Sequence, residues 1–226
     1  MIYRIEKKKI NLDRMTPVAS FSNGYIYGYA GLTKPSILKV YSKNINNLPE
    51  EDKMRNFTKI SSIHFLLPTK LLFANDKFSG YTLKAVNKTG KYNKMINTPI
   101  DVLYDNISSM EEEISTLSNK SVVLKGMNYL DTIYTGEFYI TNPDKYVNID
   151  LNRSDSSFKI EDVNNLLFNS LLQEIFTHEL KSERVNRSSI VKFINMMSNK
   201  DMYVKSSDFL DDVVDEENIK EYVKKI

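Results

Sequence analysis

Hydrophobic and polar residues change their rhythm part-way along the chain. Up to about residue 90 the apolar positions fall in short alternating runs, and beyond it they recur every three to four residues. The segment SFSNGYIYGYAG carries Asn23-Gly24, a strong short turn signal, between aromatic and β-branched residues, and predicts a hairpin. PSILKVYSK predicts a strand with Ile37, Lys39 and Tyr41 on one face and Leu38 and Val40 on the other. LPEEDKMRNFTKISSI predicts a helix. Pro49 suits its first turn, Glu50 and Glu51 complement the macrodipole, and Met54, Phe57 and Ile60 recur at helical spacing. HFLLPTKLLFA and GYTLKAV then read as two strands joined by a turn at Asn75-Asp76.

In the second half TPIDVLYDNISSMEEEISTLS predicts a long helix, with Thr98 as N-cap, Pro99 at the first helical position and Asp101 three residues after the cap. Leu103, Ile107, Met110, Ile114 and Leu117 form its apolar stripe. A β-rich interlude covers SVVLKGMNYLDTIYTGEFYITNPDKYVNI. KIEDVNNLLFNSLLQEIF predicts a second helix with Val163, Leu167, Leu171 and Ile175 in register. SSIVKFINMM aligns Ile190, Phe193, Ile194 and Met197, and EENIKEYVKKI aligns Ile219, Tyr222, Val223 and Ile226. NRSDSS (152–157) and KSERVNRSS (181–189) read as loops. The polar stretch NKTGKYNKMINT (87–98) marks a join. Residues 1–90 are expected to form a β-rich part with one helix and residues 91–226 a mainly helical part, an α+β fold.

Composition narrows the function classes. The 226 residues suffice for one large domain or two small lobes. With 31 basic and 29 acidic residues the net charge is +2, too balanced for a nucleic-acid partner. Lys7-Lys8-Lys9 reads as a solvated face. The absence of cysteine excludes disulfides, thiolate metal sites and a cysteine nucleophile, and is compatible with the cytoplasm. The N-terminal MIYRIEKKKINLDR has no apolar region of a secretory signal. The longest greasy run, IHFLLPTKLLFA, is broken by Pro68 and Lys70, so no membrane span is expected. Only two histidines occur, which excludes a multi-histidine zinc site. His64 reads as a packed core residue and His178 as one favoured by a helix C-terminus. Glu111 to Glu113 are consecutive and point to different sides of a helix. Walker loops, HExxH patterns and paired glycosidase carboxylates are missing.

The parts then fall into an order: a glycine-bearing hairpin, a strand centred on Lys39, a helix opening with Glu50-Glu51, the strand GYTLKAV, a long helix, KGMNYLD, and a strand ending at Asn142. Over roughly residues 15 to 176 this order resembles the protein-kinase-like superfamily, in particular compact bacterial members in which a strand ends in an IDP version of the metal-binding motif, often followed by a tyrosine. The resemblance implies a two-lobed protein-kinase-like fold with a β-rich N-lobe and a reduced helical C-lobe. Phosphoryl transfer rests on positioning and charge neutralisation, with a strand lysine on the phosphates and metal ions bridging them. By the resemblance Lys39 is similar to that lysine, and Glu51, or Glu50, to the helix glutamate that pairs with it. Gly24 belongs to the glycine loop, although only Gly24 and Gly28 are present. Lys84, Ala85 and Val86 are similar to the hinge that meets an adenine.

The catalytic segment departs from the family. Matching YITNPDKY to the IDP pattern puts Asn142 at the metal-binding aspartate. Matching DTIYTGEFY puts Asp131 at the asparagine ligand, and counting back five residues puts Gly126 at the base. The base is therefore missing and the two metal-ligand identities are exchanged, with Asp144 close by in sequence. A single Mg²⁺ on Asp131 would need phosphate oxygens and waters to complete its octahedron. Loss of a general base typically costs about 10² to 10⁴ in rate. The expectation is a nucleotide-binding pseudokinase or a very weak phosphotransferase using ATP and Mg²⁺. The alternative is an α+β interaction module with no nucleotide site, in which Asn142 caps an Asx-Pro turn and DDVVDEENIKEYVKKI docks a protein partner.

Overall fold

A computed structural model describes residues 2–32, 34–42, 45, 48–86, 95, 98–149 and 160–179. The segments 152–157, 181–189, 190–197 and 219–226 lie outside the described residues, as does most of the 87–98 join. The fold mixes a curled antiparallel sheet with three α-helices among the described residues. The chain divides into two compact units, Met1–Val86 and Asn87–Ile226.

The first unit is a seven-stranded sheet. Its strands are β1 (Ile2–Ile5), β2 (Lys8–Asn11), β3 (Ala19–Phe21), β4 (Gly24–Tyr29), β5 (Ser36–Tyr41), β6 (Lys70–Ala74) and β7 (Lys77–Lys84), in the order β2-β1-β6-β7-β5-β4-β3, with every pairing antiparallel. Alternation along β5 gives the two predicted faces. Leu38 and Val40 join Tyr3, Ile5, Ile10, Leu12, Leu72 and Ala74 in one buried cluster, against which Met15, Tyr27, Tyr29 and Leu32 pack. The cluster joins Ile10 of the edge strand β2 with Tyr27 and Tyr29 of β4, next to the opposite edge, so the sheet curls. Lys8 Nζ accordingly reaches across to donate to the Gly31 carbonyl at 2.7 Å.

The first hairpin was legible but unassigned: Tyr3, Ile5, Ile10 and Leu12 alternate with exposed residues, and Lys7, Lys8 and Lys9 are exposed as expected. The second hairpin turns one residue earlier than Asn23-Gly24 suggests. Gly24 already pairs with Phe21, and the turn is Ser22-Asn23. The Asn75-Asp76 turn has positive φ at both residues (49° and 60°), the conformation of a tight type I′ hairpin. The helix expected over 48–63 is shorter, α1 (Glu51–Phe57), with Glu50 as N-cap and Thr58 as C-cap. Met54 and Phe57 are its buried residues. Beyond it the chain runs irregularly to β6, with His64 buried in that stretch.

Two helices organise the described part of the second unit, α2 (Ile100–Asn119) and α3 (Ile160–Glu179), packed on each other. The α2 stripe is as predicted: Leu103, Ile107, Met110, Ile114 and Leu117 are all buried. Its start is not. Pro99 is the N-cap, without a side-chain capping bond, and the Thr98 hydroxyl is 2.6 Å from that of Tyr134. On α3 the buried line runs through Asn164, Phe168, Leu171, Leu172, Ile175 and Phe176, while Val163 and Leu167 are half-buried. Leu171 and Ile175 are buried as predicted, and the departure is at the start of the helix, where polar Asn164 is fully buried beside half-buried Val163 and Leu167. Asn164 accepts from the Leu124 N–H (2.8 Å) and donates to Ser118 Oγ (2.9 Å) and the Val122 carbonyl (2.8 Å).

Short ladders fill the interlude. Strand β8 (Val122–Val123) pairs with β11 (Val147–Asn148), and β9 (Thr132–Tyr134) with β10 (Phe138–Ile140). Asn106 of α2 grips the β9–β10 hairpin, donating to the Gly136 carbonyl (3.2 Å) and accepting from the Phe138 N–H (3.3 Å).

Candidate functional site

In the first unit Lys39 sits at the middle of β5, opposite Ile26 of β4 and Tyr81 of β7. The residue is only 7% exposed. Its ammonium lies 4.7 Å from the Phe21 ring centroid and 5.7 Å from that of Tyr81, cation–π distances. Around it Tyr41 meets Phe21, Phe78 and Tyr81 edge-on or tilted, at 5.9–6.2 Å. The lysine is thus held on an aromatic face. Glu51 gives its carboxylate to Arg55, one turn further along α1.

Gly24 is buried in β4, where a Cβ would fall 2.0 Å from the Val40 carbonyl oxygen. Gly80, with φ +154°, is as tight against the Lys39 carbonyl at 2.1 Å. These glycines let β4 and β7 close in on β5 from both sides. At the end of β7, Lys84 is exposed and pairs with Ser36, and the Ala85 N–H donates to the Pro35 carbonyl at 3.4 Å, with half-buried Val86 following.

In the second unit the structure brings Asp131 and Asn142 together. Asp131 closes a 3-10 turn (Tyr129–Asp131) whose cap is Asn128, and its N–H donates to Asn128 Oδ1 at 3.2 Å. Tyr129 ties that turn to α3. Its N–H donates to Glu174 at 3.0 Å, its ring stacks on His178 at 3.8 Å, and its hydroxyl donates to Glu179 at 3.4 Å. Thr141, at the exit of β10, donates from N–H and Oγ1 to the Asp131 carbonyl (2.8 and 2.9 Å). That pins the two ends of the hairpin together. Asn142 makes no side-chain capping bond to the turn it precedes (Pro143–Lys145), and instead its Nδ2 donates to Asp131 Oδ1 at 3.1 Å. The carboxamide faces the carboxylate, not its own turn.

Sequence reasoning missed Lys145. Its ammonium lies 2.7 Å from Asp131 Oδ2, with the carboxylate side chain 18% exposed and the lysine 39%. Gly126 belongs to the same arrangement. Its φ is +76°, and a Cβ there would come within 3.0–3.4 Å of Lys145 Cδ, Cβ and Cγ. The lysine stem therefore lies over Gly126. Only the run DKY after Asn142-Pro143 signals a cation nearby, and nothing in it says which carboxylate the cation takes. Buried beside this cluster is Tyr146, whose hydroxyl is pushed well above the usual tyrosine range by burial and, second, by the Asp131 charge. Burial first, then Glu137 as hydrogen-bond acceptor and charge, raises Tyr139 to about 12.

These side chains do not fit a Mg²⁺ site. Mg²⁺ wants an octahedron of oxygens. Here one carboxylate is neutralised by an ammonium and accepts from an amide N–H, and among the described residues no three His, Asp or Glu side chains gather where they could hold a metal. Among the described residues no helix is long and apolar enough to cross a membrane.

No protein-family model matches the chain, and no curated protein matches it.

Proposed function

We propose that the chain is a kinase-like protein that works by binding and transfers no phosphate. The observation that carries this reading is the Asp131–Lys145 ion pair over Gly126. In the superfamily that this sequence resembles, the corresponding positions supply a base and metal ligands. Here the ammonium supplies permanently, from within the chain, the positive charge a metal would bring. A missing base costs about 10² to 10⁴ in rate, and a missing metal removes much of the electrostatic stabilisation of the transferring group. The order of parts in the first unit also supports a kinase-like scaffold: hairpin β3–β4, lysine strand β5, helix α1, then β6 and β7, with all five strands in one sheet.

On this proposal ATP, where it binds, binds at the Lys39 face without Mg²⁺. A second reading, an interaction module without a nucleotide site, is favoured by the aromatic rings already on Lys39. Thermal denaturation with ATP, with and without Mg²⁺, tests both. A ligand at 100 times its dissociation constant stabilises by about 2.7 kcal/mol. A rise in midpoint with ATP alone, lost in Lys39→Met, supports nucleotide binding. An unchanged midpoint at millimolar ATP leaves the interaction module. Phosphate turnover that needs Mg²⁺ and disappears in Asp131→Ala overturns the proposal.

A further inference from the structure

The first unit holds a cavity of about 580 Å³ between the start of β5, the end of β7 and the irregular chain from α1 to β6. That volume falls in the range of small-molecule sites, roughly 300–1,000 Å³. Lys34, Lys59, Lys70 and Lys84 border it, and among the described residues no aspartate or glutamate does. Lys70 is ion-paired with Glu6 at 2.9 Å and Lys59 donates to Asn56 at 3.2 Å. Lys34 and Lys84 are exposed and have no ion-pair partner among the described residues. Between the lysines the wall is apolar: Leu66, Leu67 and Pro68 are buried, and Ile63 stands 50% exposed at the rim. The Ser61 hydroxyl adds a polar group, while that of Thr69 is taken by Thr82.

Register separates this cavity from Lys39. Ser36 lies opposite Lys84, and Leu38 and Lys70 both lie opposite Thr82, so Ser36, Lys70 and Lys84 belong to the Leu38 face of the sheet. Lys39 pairs with Tyr81 on the other face. Anions are drawn to clefts lined by one sign of charge with low-dielectric walls, and apolar walls add burial of a carbon body. We propose that this cavity binds a small organic anion, a carboxylate or phosphate monoester on an apolar body, with Lys34 and Lys84 as its charge partners. The proposal does not depend on the kinase-like reading.

The test titrates the isotope-labelled full chain with phenyl phosphate, benzoate and neutral benzyl alcohol, followed by amide NMR shifts. Expected are saturable shifts confined to residues 34, 36, 58–63, 66, 67, 69, 70 and 84 with an anion, and none with benzyl alcohol at the same concentration. The tighter of the two anions identifies the headgroup. The double variant Lys34→Met/Lys84→Met, both exposed positions, weakens binding roughly ten-fold, as loss of two screened ion pairs allows. Lys39→Met leaves the affinity unchanged. Shifts that do not saturate, that scatter over the surface lysines, that persist in the double variant or that follow Lys39 overturn the proposal.

Discussion

Lys145 extends over Gly126 and sets its ammonium 2.7 Å from the carboxylate of Asp131. The contact joins three residues, Gly126, Asp131 and Lys145. Together they form one arrangement. A residue without a side chain leaves room for a lysine stem, and the lysine neutralises the carboxylate. Asn142 completes it by donating to the other carboxylate oxygen.

Lys145→Met, Asp131→Asn and the double variant form a thermodynamic cycle on that contact. Both side chains are partly exposed, 39% and 18%. The coupling energy is therefore expected at about 0.2–1 kcal/mol, the value of a screened ion pair. Urea midpoints at low and high salt measure it, and the coupling shrinks with added salt.

Gly126→Ala is expected to cost more than either of those single variants. The left-handed backbone, φ +76°, penalises any Cβ by about 1–3 kcal/mol, and the new methyl meets the Lys145 stem. Adding Lys145→Ala relieves the contact and leaves the backbone strain, so part of the loss returns in the double variant. Full recovery in chemical denaturation would place the whole cost in the side-chain contact and remove the backbone argument.

Asn164 is the polar keystone of the second unit. Fully buried, it satisfies the Leu124 N–H and the Val122 carbonyl. Asn164→Ala strands both groups, at roughly 1–3 kcal/mol for each buried unsatisfied partner. Leu167→Ala, on the half-buried side of the same helix, is expected to cost clearly less. Thermal midpoints of the two variants rank them directly.

Tyr139 links pH to folding. Its hydroxyl titrates near 10.0 when unperturbed and is raised to about 12 in the folded chain, by burial first and by Glu137 second. The folded state then holds its proton more tightly than the unfolded state. Its contribution to stability is complete below pH 10 and is lost as the pH rises from about 10 to about 12. Tyr139→Phe removes that part of the alkaline decline, read as denaturant midpoint against pH.

Much of the fold was legible because its signals are local. The alternation in β5, the turn at Asn75-Asp76 and the α2 stripe each depend on a few neighbouring residues, and each stands as predicted. The errors arose where long-range contacts outweigh local preference. Thr98 has the chemistry of an N-cap, yet its hydroxyl goes to Tyr134, thirty-six positions away. Asn164 lies outside the predicted stripe, yet three partners from the 118–124 segment hold it fully buried, as buried as Phe176. At the candidate site, the family resemblance singled out Asp131 and Asn142, and the structure joins them at 3.1 Å. The partner of Asp131 was not legible. Lys145 is one of many lysines, and only the path of the chain around Gly126 selects it.

The central claim is that Lys145 holds the charge position a metal would take at Asp131, and it can be tested without knowing any substrate. Mn²⁺, a paramagnetic stand-in for Mg²⁺, is titrated into the isotope-labelled chain with ATP present, and the amide signals of Asp131, Thr141 and Asn142 are followed. The account predicts no selective broadening in the natural chain. Selective, saturable broadening at these three residues, reversed by excess Mg²⁺, would contradict it.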